Sequence, residues 1–521
     1  MAANSTRTIE TTKGGRVSET ANLRRWLESG AKAVKGARTK LDAINVFPVP
    51  DSDTGTNMYL TLQEGNRAVS KLPHNATHRE VVAAFVRGAL MGARGNSGVI
   101  VSQYLNGFLT ELDKRGGMDK VKPAGIAQAL DVAAEAAYGA VADPVEGTIL
   151  TVAREAARGA TEAAGAKADR SSVIVAAVLA ARTALAKTHE ELPSAKAAGV
   201  VDAGAAGLVL QLEMLAEIIA GPDALSSLDE VAWEIRDGRS RVGIEGLSQA
   251  GAHLSGAYEV MFVVSHEPDG DEALRTELST VGDSVAVTGS HGLWQAHVHT
   301  DFPAAAVAVG AAHAARQMLV RNMSMSNVGD RAATGVVALT TCPGLAEPLA
   351  DAGAVVLVVP DPRALKARAL RRAVKDASGR AAVVVAGHPA LRAAALKLAD
   401  KRRKPALTVI DCVHEAQVVA AVAASALVTP GQNIAEQMAD AVAVTAVASS
   451  TGDALDDDVD RLLSESTEIV TLVLGARVSP GIADAVRLSA RSSSPLADVN
   501  VYLGGQLEPA VLIGVEGPQQ S

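Results

Sequence analysis

At 521 residues the chain is long for a single hydrophobic core, and two or three domains are expected. A net charge of −9 argues against a constitutive nucleic-acid binder, whose footprint is usually basic, and two cysteines, Cys342 and Cys412, exclude a disulfide framework. With 48% hydrophobic residues but only 2% aromatic ones, the core has to be built from Ala, Val, Leu and Ile, which suits closely packed helices and buried strands.

Residues 1–20 are polar and lack the apolar stretch of a signal peptide, so they read as a disordered tail. From 21 to 220 the segments are runs of helix formers broken by Gly, Pro or polar residues, as in ANLRRWLESGAKAV, REVVAAFVRGALMGA and SVIVAAVLAARTALAKTHEEL. That pattern predicts a bundle of antiparallel helices. Residues 221–255 read as a charged linker. Between 256 and 330 the short β-branched runs YEVMFVVS, DSVAVTGS and WQAHVHT predict strands, while ALRTELSTV and AAAVAVGAAHAARQM predict helices. This is a small α/β middle domain. From 334 to 521 apolar runs such as GVVALTT, AVVLVVP, AAVVVAG, PALTVID and IVTLVLG alternate with helical stretches, which predicts a C-terminal α/β domain with a mostly parallel sheet. No apolar run approaches the roughly 20 residues of a membrane helix. The nearest, 416–428, reads as a buried helix, and a cytoplasmic protein without a transmembrane segment is expected.

Four loops in the helical region carry chemistry. In NVFPVPDSDTGTNM, Asp51 and Asp53 offer hard oxygen ligands at the tip of a loop stiffened by Pro48 and Pro50. Magnesium usually takes one or two carboxylates and completes its shell with water and substrate phosphates, so such a loop points to a phosphate ligand. An EF-hand loop starting at Asp51 is excluded, because it needs Gly where Thr56 stands and Glu where Leu62 stands. The segment from Thr56 to Ser70 reads as a helix whose N-terminus favours phosphate oxygens. A second break, Gly95-Asn96-Ser97-Gly98, offers backbone N–H groups and a hydroxyl. DPVEGTILTV and GVVDAGAAGLVL also pair small residues with an acid. Taken singly, each is open to reading as an ordinary turn; four together suggest one end of a bundle shaped around a ligand.

NVFPVPDSDTGTNM, MGARGNSGVIVSQ, PVEGTILTV and GVVDAGAAGLVL together resemble the nucleotide-binding domain of the DhaL (Dak2) family. GDSVAVTG with QAHVHTDFP resembles the middle domain of the FakA component of fatty acid kinase, and EIVTLVLG with VNVYLGGQLEPAVLIGVE resembles its C-terminal domain. The resemblance implies an eight-helix barrel that binds ATP through two Mg²⁺ ions at one open end. Asp51 and Asp53 would be the catalytic metal-bridging carboxylates and Asn45 a third metal ligand. Thr54, Gly55, Thr56 and Asn57 fall on the phosphate-cradling segment, and Asn96 and Ser97 on the second phosphate loop. Thr148 and Ile149 fall on the adenine-side loop, Asp202 and Gly204 on the last nucleotide loop. Ser52 stands where the family's P-D-G-D loop has glycine, so a positive φ there would strain it.

The middle domain of fatty acid kinases carries a Cys-His-His zinc site. His297 and His299 match its histidines and share a face of a predicted strand, while Glu259 stands at the cysteine position and keeps zinc as an expected cofactor. The implied activity is ATP- and Mg²⁺-dependent phosphorylation of a fatty acid carboxylate presented by a separate fatty-acid-binding carrier protein, giving an acyl phosphate for phospholipid metabolism. Two alternatives stand beside it: a dihydroxyacetone (glycerone) kinase-type phosphotransferase, and a nucleotide-binding scaffold without turnover. Homodimerisation is left open.

Overall fold

The computed structural model describes residues 20–48, 50, 52–226, 256–265, 271–290, 292–323, 334–377, 381–401, 406–429, 432–451, 455–464, 466–479, 481–494 and 497–517. Residues 1–19 of the expected tail, Asp51 and nearly all of the linker therefore lie outside the described residues. The chain divides into two compact units, 1–250 and 251–521.

Among the described residues, the first unit is built of helices alone. Its helices are α1 (Ala21–Ala43), α2 (Thr54–Val69), α3 (His78–Gly92), α4 (Gly95–Lys114), α5 (Pro123–Tyr138), α6 (Ile149–Gly165), α7 (Arg170–Glu191), the short α8 (Pro193–Ala198) and α9 (Ala203–Ala220). Each long helix packs on the next, and α9 returns to α1, so eight helices close a ring. The expected eight-helix barrel is this ring, with α8 as an added turn. In α1 the apolar residues Leu23, Trp26, Leu27, Ala31 and Val34 recur at helical spacing and are buried, as an inward face requires. Trp26 meets Phe108 of α4 edge to face at 5.4 Å between ring centroids. Elsewhere alanine and glycine let the helices approach closely. Thr77 and Glu80 form a capping box that starts α3.

Two helices, α7 and α9, are long and apolar enough to span a membrane by length and composition, which corrects the expectation that no run comes close. Few charges and many alanines satisfy that test, and the apolar window of α9 is mostly buried inside the ring.

The second unit contains two mixed sheets. It runs β1 (Tyr258–Ser265), α10 (Asp271–Ser279), β2 (Asp283–Ser290), β3 (Leu293–Thr300), α11 (Pro303–Ala312), β4 (Met318–Asn322), β5 (Thr334–Thr340), α12 (Ala346–Asp351), β6 (Val355–Val358), α13 (Ala367–Ala377), β7 (Ala381–Ala386), α14 (Pro389–Lys401) and β8 (Ala406–Val409). It continues with α15 (Glu415–Ala426), α16 (Ile434–Val444), β9 (Thr445–Ser450), α17 (Leu455–Asp460), β10 (Ile469–Leu474), α18 (Ile482–Ser493), β11 (Asp498–Leu503) and β12 (Val511–Glu516). The larger sheet has the order β2-β3-β1-β4-β6-β5-β7-β8 and the smaller β11-β10-β12-β9. β6, β5, β7 and β8 are parallel, as their unbroken apolar runs predict. β4 pairs antiparallel with both β1 and β6, so the strands of the middle region and those after 334 form one continuous sheet.

The segment AAAVAVGAAHAARQM is helical only to Ala312. Its last residue, Met318, already begins β4, because the strand is set by its two neighbours rather than by local propensity. The apolar stretch at 416–428 is the helix α15, which packs on strands of both sheets. Its first residue, Glu415, is fully buried and accepts hydrogen bonds from the Thr340 hydroxyl (2.8 Å) and from the Thr341 amide and hydroxyl (2.7 Å each), tying α15 to the end of β5.

Candidate functional site

The loop between α1 and α2 turns the chain back so that the end of one helix faces the start of the other. Asp42, near the end of α1, accepts from the Thr56 amide (2.8 Å) and hydroxyl (2.7 Å), and this holds the first turn of α2 in place. Asn45 follows and is buried. Ser52 has φ 54°, the left-handed conformation in which serine is strained and glycine is not. Asp53 stands at the N-cap of α2, yet its carboxylate makes no capping bond to that helix. It accepts instead from Asn57 Nδ2 at 2.7 Å.

The second break meets the first. Thr54 Oγ1 lies 3.2 Å from Ser97 Oγ. Gly95 has φ +54° and sits so close to Asn57 that an added Cβ would fall 2.5 Å from Asn57 Nδ2. α4, like α2, has no side-chain cap. Asn96 and Ser97 are half-buried at its start.

The third and fourth loops also meet. Thr148 caps α6 by accepting from the Leu150 amide, and Ile149 packs against Gly204. Asp202 caps α9, accepting from the Ala205 amide at 2.7 Å. Met58 and Gly207, each the fifth residue of its helix, touch across α2 and α9. The N-termini of α2, α4, α6 and α9 therefore lie at one end of the ring. Helix N-termini present partial positive charge, and the two without a side-chain cap, α2 and α4, stand side by side next to Asp53. The arrangement suits an oxyanion and a hard cation together. Asn45, Asp53, Thr54, Gly55, Thr56, Asn57, Asn96 and Ser97 belong to one side of this end, and Thr148, Ile149, Asp202 and Gly204 to the other.

Burial pushes the Asp202 carboxyl up to about 6, opposed by hydrogen bonds from the Ala205, Ile149 and Gly204 amides. A folded-state value above the unfolded one means the charged form disfavours the fold. Stability from this group therefore rises as pH falls through 6 toward 4, and is lost as pH rises. Asp202→Asn keeps the cap acceptor and removes the charge. It is expected to raise stability at pH 8 by about 1–3 kcal/mol and to flatten the pH dependence between 4 and 6. Thermal unfolding at pH 4.5, 6 and 8 checks this; a less stable Asn variant at pH 8 would show that the charge is needed.

In the second unit Glu259, His297 and His299 come together on one face of the larger sheet. All three are buried and their ligand atoms lie within 4.8 Å of one another. Register explains the meeting: Glu259 is opposite His299 across β1 and β3, with His297 two residues along on the same face. Arg321 of β4 is opposite Glu259 on the other side, and its Nε bonds Glu259 Oε2. The donor set of one carboxylate and two imidazoles, gathered this tightly, fits a zinc ion with a fourth position left over.

Sequence reasoning missed two residues, Asp42 and Arg321. Neither stands in a recognisable local pattern.

Known protein families cover both regions. Residues 48–217 match the DAK2 domain model, residues 255–327 the middle domain of the fatty acid kinase FakA-like family, and residues 441–516 the C-terminal domain of the same FakA-like family. Protein YloV of Bacillus subtilis (strain 168) is 36% identical over 284 residues, covering 53% of this chain and 50% of that protein. An uncharacterized protein of Staphylococcus aureus (strain USA300) is 33% identical over 280 residues, with the same shares. The chain thus spans about half the length of the curated relatives it matches. The crystal structure of the dihydroxyacetone kinase from C. freundii in complex with AMP-PNP and Mg²⁺ aligns at 21% identity with a TM-score of 0.30, over 42% of this chain and 38% of that one. A likeness this distant carries no functional argument.

Proposed function

We propose, for a chain that carries a DAK2 domain followed by FakA-like middle and C-terminal domains, the role of an ATP-dependent kinase that phosphorylates the carboxylate of a fatty acid held by a separate carrier protein. The observation that carries this reading is the meeting of two uncapped helix N-termini, those of α2 and α4, beside Asp53.

The amides of those two first turns, with the Thr54 and Ser97 hydroxyls, would orient the phosphates of ATP, and the Thr148 and Gly204 loops would border the base. Asp51, Asp53 and Asn45 would hold two Mg²⁺ ions, which supply charge neutralisation on the transferring phosphoryl group. A carboxylate oxygen of the fatty acid attacks the terminal phosphorus, the bond to the bridging oxygen of ADP breaks, and acyl phosphate and ADP leave. The acceptor is already ionised at neutral pH, so neither a general base nor a protein nucleophile is required. The carrier would dock on the C-terminal half, in the cytosol. Separately, Glu259, His297 and His299 would hold a Zn²⁺ ion that supplies a structural cross-link between β1 and β3.

Residues 21–220 contain every nucleotide residue named and close their own ring, so this fragment is expected to be soluble and helical and to bind Mg²⁺-ATP. It is expected to transfer nothing to an acyl acceptor. Isothermal calorimetry and a phosphate-transfer assay with carrier-bound fatty acid test both halves of the statement. Transfer by the fragment alone would remove the docking role of the C-terminal half, and transfer to a small hydroxy-ketone instead would replace the acceptor.

A further inference from the structure

Glu259 occupies the middle of a transverse row in the antiparallel part of the larger sheet, with His299 on one neighbouring strand and Arg321 on the other. Its side chain has no exposure to solvent, and the Arg321 side chain is 16% exposed. The two carboxylate oxygens have different surroundings. Oε2 accepts from Arg321 Nε. Oε1 receives no hydrogen bond among the described residues and lies 3.3 Å from His297 Nδ1. Two ligand atoms on one tetrahedral zinc, each about 2.0–2.2 Å from the metal, are separated by about 3.4 Å. Oε1 and Nδ1 therefore already stand at the spacing of one edge of such a tetrahedron.

The terminal torsion of a glutamate is soft, so an unsupported Glu259 carboxylate would not point one way. We propose that Arg321 is the positioning residue of this site: its guanidinium holds one carboxylate oxygen of Glu259 and so leaves the other, Oε1, as the single ligand atom facing the histidines. The inference rests on the zinc reading above and deepens it. Glutamate at this position needs such a partner in a way that cysteine would not. A thiolate has a single ligand atom and needs no orienting partner. A carboxylate has two oxygens and does.

The test is the zinc affinity of the full chain, measured by competition with a chromophoric chelator on protein made without a histidine tag. Arg321→Gln is expected to weaken zinc binding about 10–100-fold, the usual cost of losing an outer-shell partner. Arg321→Lys keeps the charge without the flat N–H and is expected to fall between the two, which carries the comparison if the Gln variant does not fold. In a Glu259→Cys background the same Arg321→Gln change is expected to alter affinity by less than about threefold, because the pair it acts through is gone. Thermal unfolding of the metal-free proteins separates lost ligation from lost fold. Unchanged or tighter zinc binding in Arg321→Gln, with wild type binding normally, overturns the positioning role and leaves the zinc site standing. Wild-type protein that takes up less than about a tenth of a zinc per chain from buffered metal overturns both.

Discussion

Replacing Asp53 or Asp51 by alanine is expected to abolish Mg²⁺-dependent ATP binding and to leave the helical ring folded. Asp53 accepts from Asn57 and does not cap α2, so its loss removes that bond, about 1 kcal/mol, and no helix cap. If these carboxylates hold Mg²⁺ as proposed, the loss of binding is far larger. A weakening of about 100-fold or more, close to 3 kcal/mol, is expected for either variant. Asp42→Ala provides the contrast. Asp42 holds the Thr56 amide and hydroxyl, so its removal should lower the unfolding temperature as well as the affinity. Calorimetry of ATP binding with and without Mg²⁺ decides the matter: unchanged affinity in the Asp53 variant would remove the site from this end of the ring.

Gly55→Ala is expected to cost roughly 3 kcal/mol of stability, or roughly 6–12 °C in the unfolding temperature of the helical unit. A Cβ at Gly55 would fall 2.6 Å from the Arg38 carbonyl oxygen and 2.7 Å from Leu41 Cβ. Neither is the end of a flexible side chain, so α1 and α2 would have to separate at the first turn of α2. Gly36 is the control. It lies within α1, where an added Cβ meets nothing within 4 Å. Gly36→Ala should therefore gain about 0.5–1 kcal/mol from helix propensity. Equal stabilities for the two variants, by thermal or denaturant unfolding, would show that the close approach at Gly55 is relieved without cost.

Much of the fold is legible in the sequence because its signals are local. YEVMFVVS and DSVAVTGS are β1 and β2 from first residue to last, since β-branched runs closed by turn residues leave few alternatives. β4 is not legible: MLVRN follows a helical pattern and becomes a strand only by pairing with β1 and β6. The same division holds at the sites. Asp53, Asn57, Ser97 and Asp202 stand in small-residue segments at helix starts whose composition marks them. That four separate loops share one end follows from the closure of the ring and is suggested, not fixed, by their number. Asp42 reaches Thr56 across 14 positions, and Arg321 reaches Glu259 across 62, through a turn in one case and a sheet register in the other. No spacing rule covers either.

The pairing of β4 with β6 also limits how the protein can be divided. The segment that matches the middle-domain model ends at 327, yet β4 within it hydrogen-bonds a strand that begins at Val355. Met261 and Leu319 share one apolar cluster with Val337, Leu357 and Val384, across the same boundary. A protein ending at 327 would leave β4 as an unpaired edge with that cluster opened, the situation in which isolated strands recruit one another. Such a truncation should self-associate, whereas one that keeps β5 to β8 should stay monodisperse. The segment that matches one family model is here shorter than the sheet it helps to build.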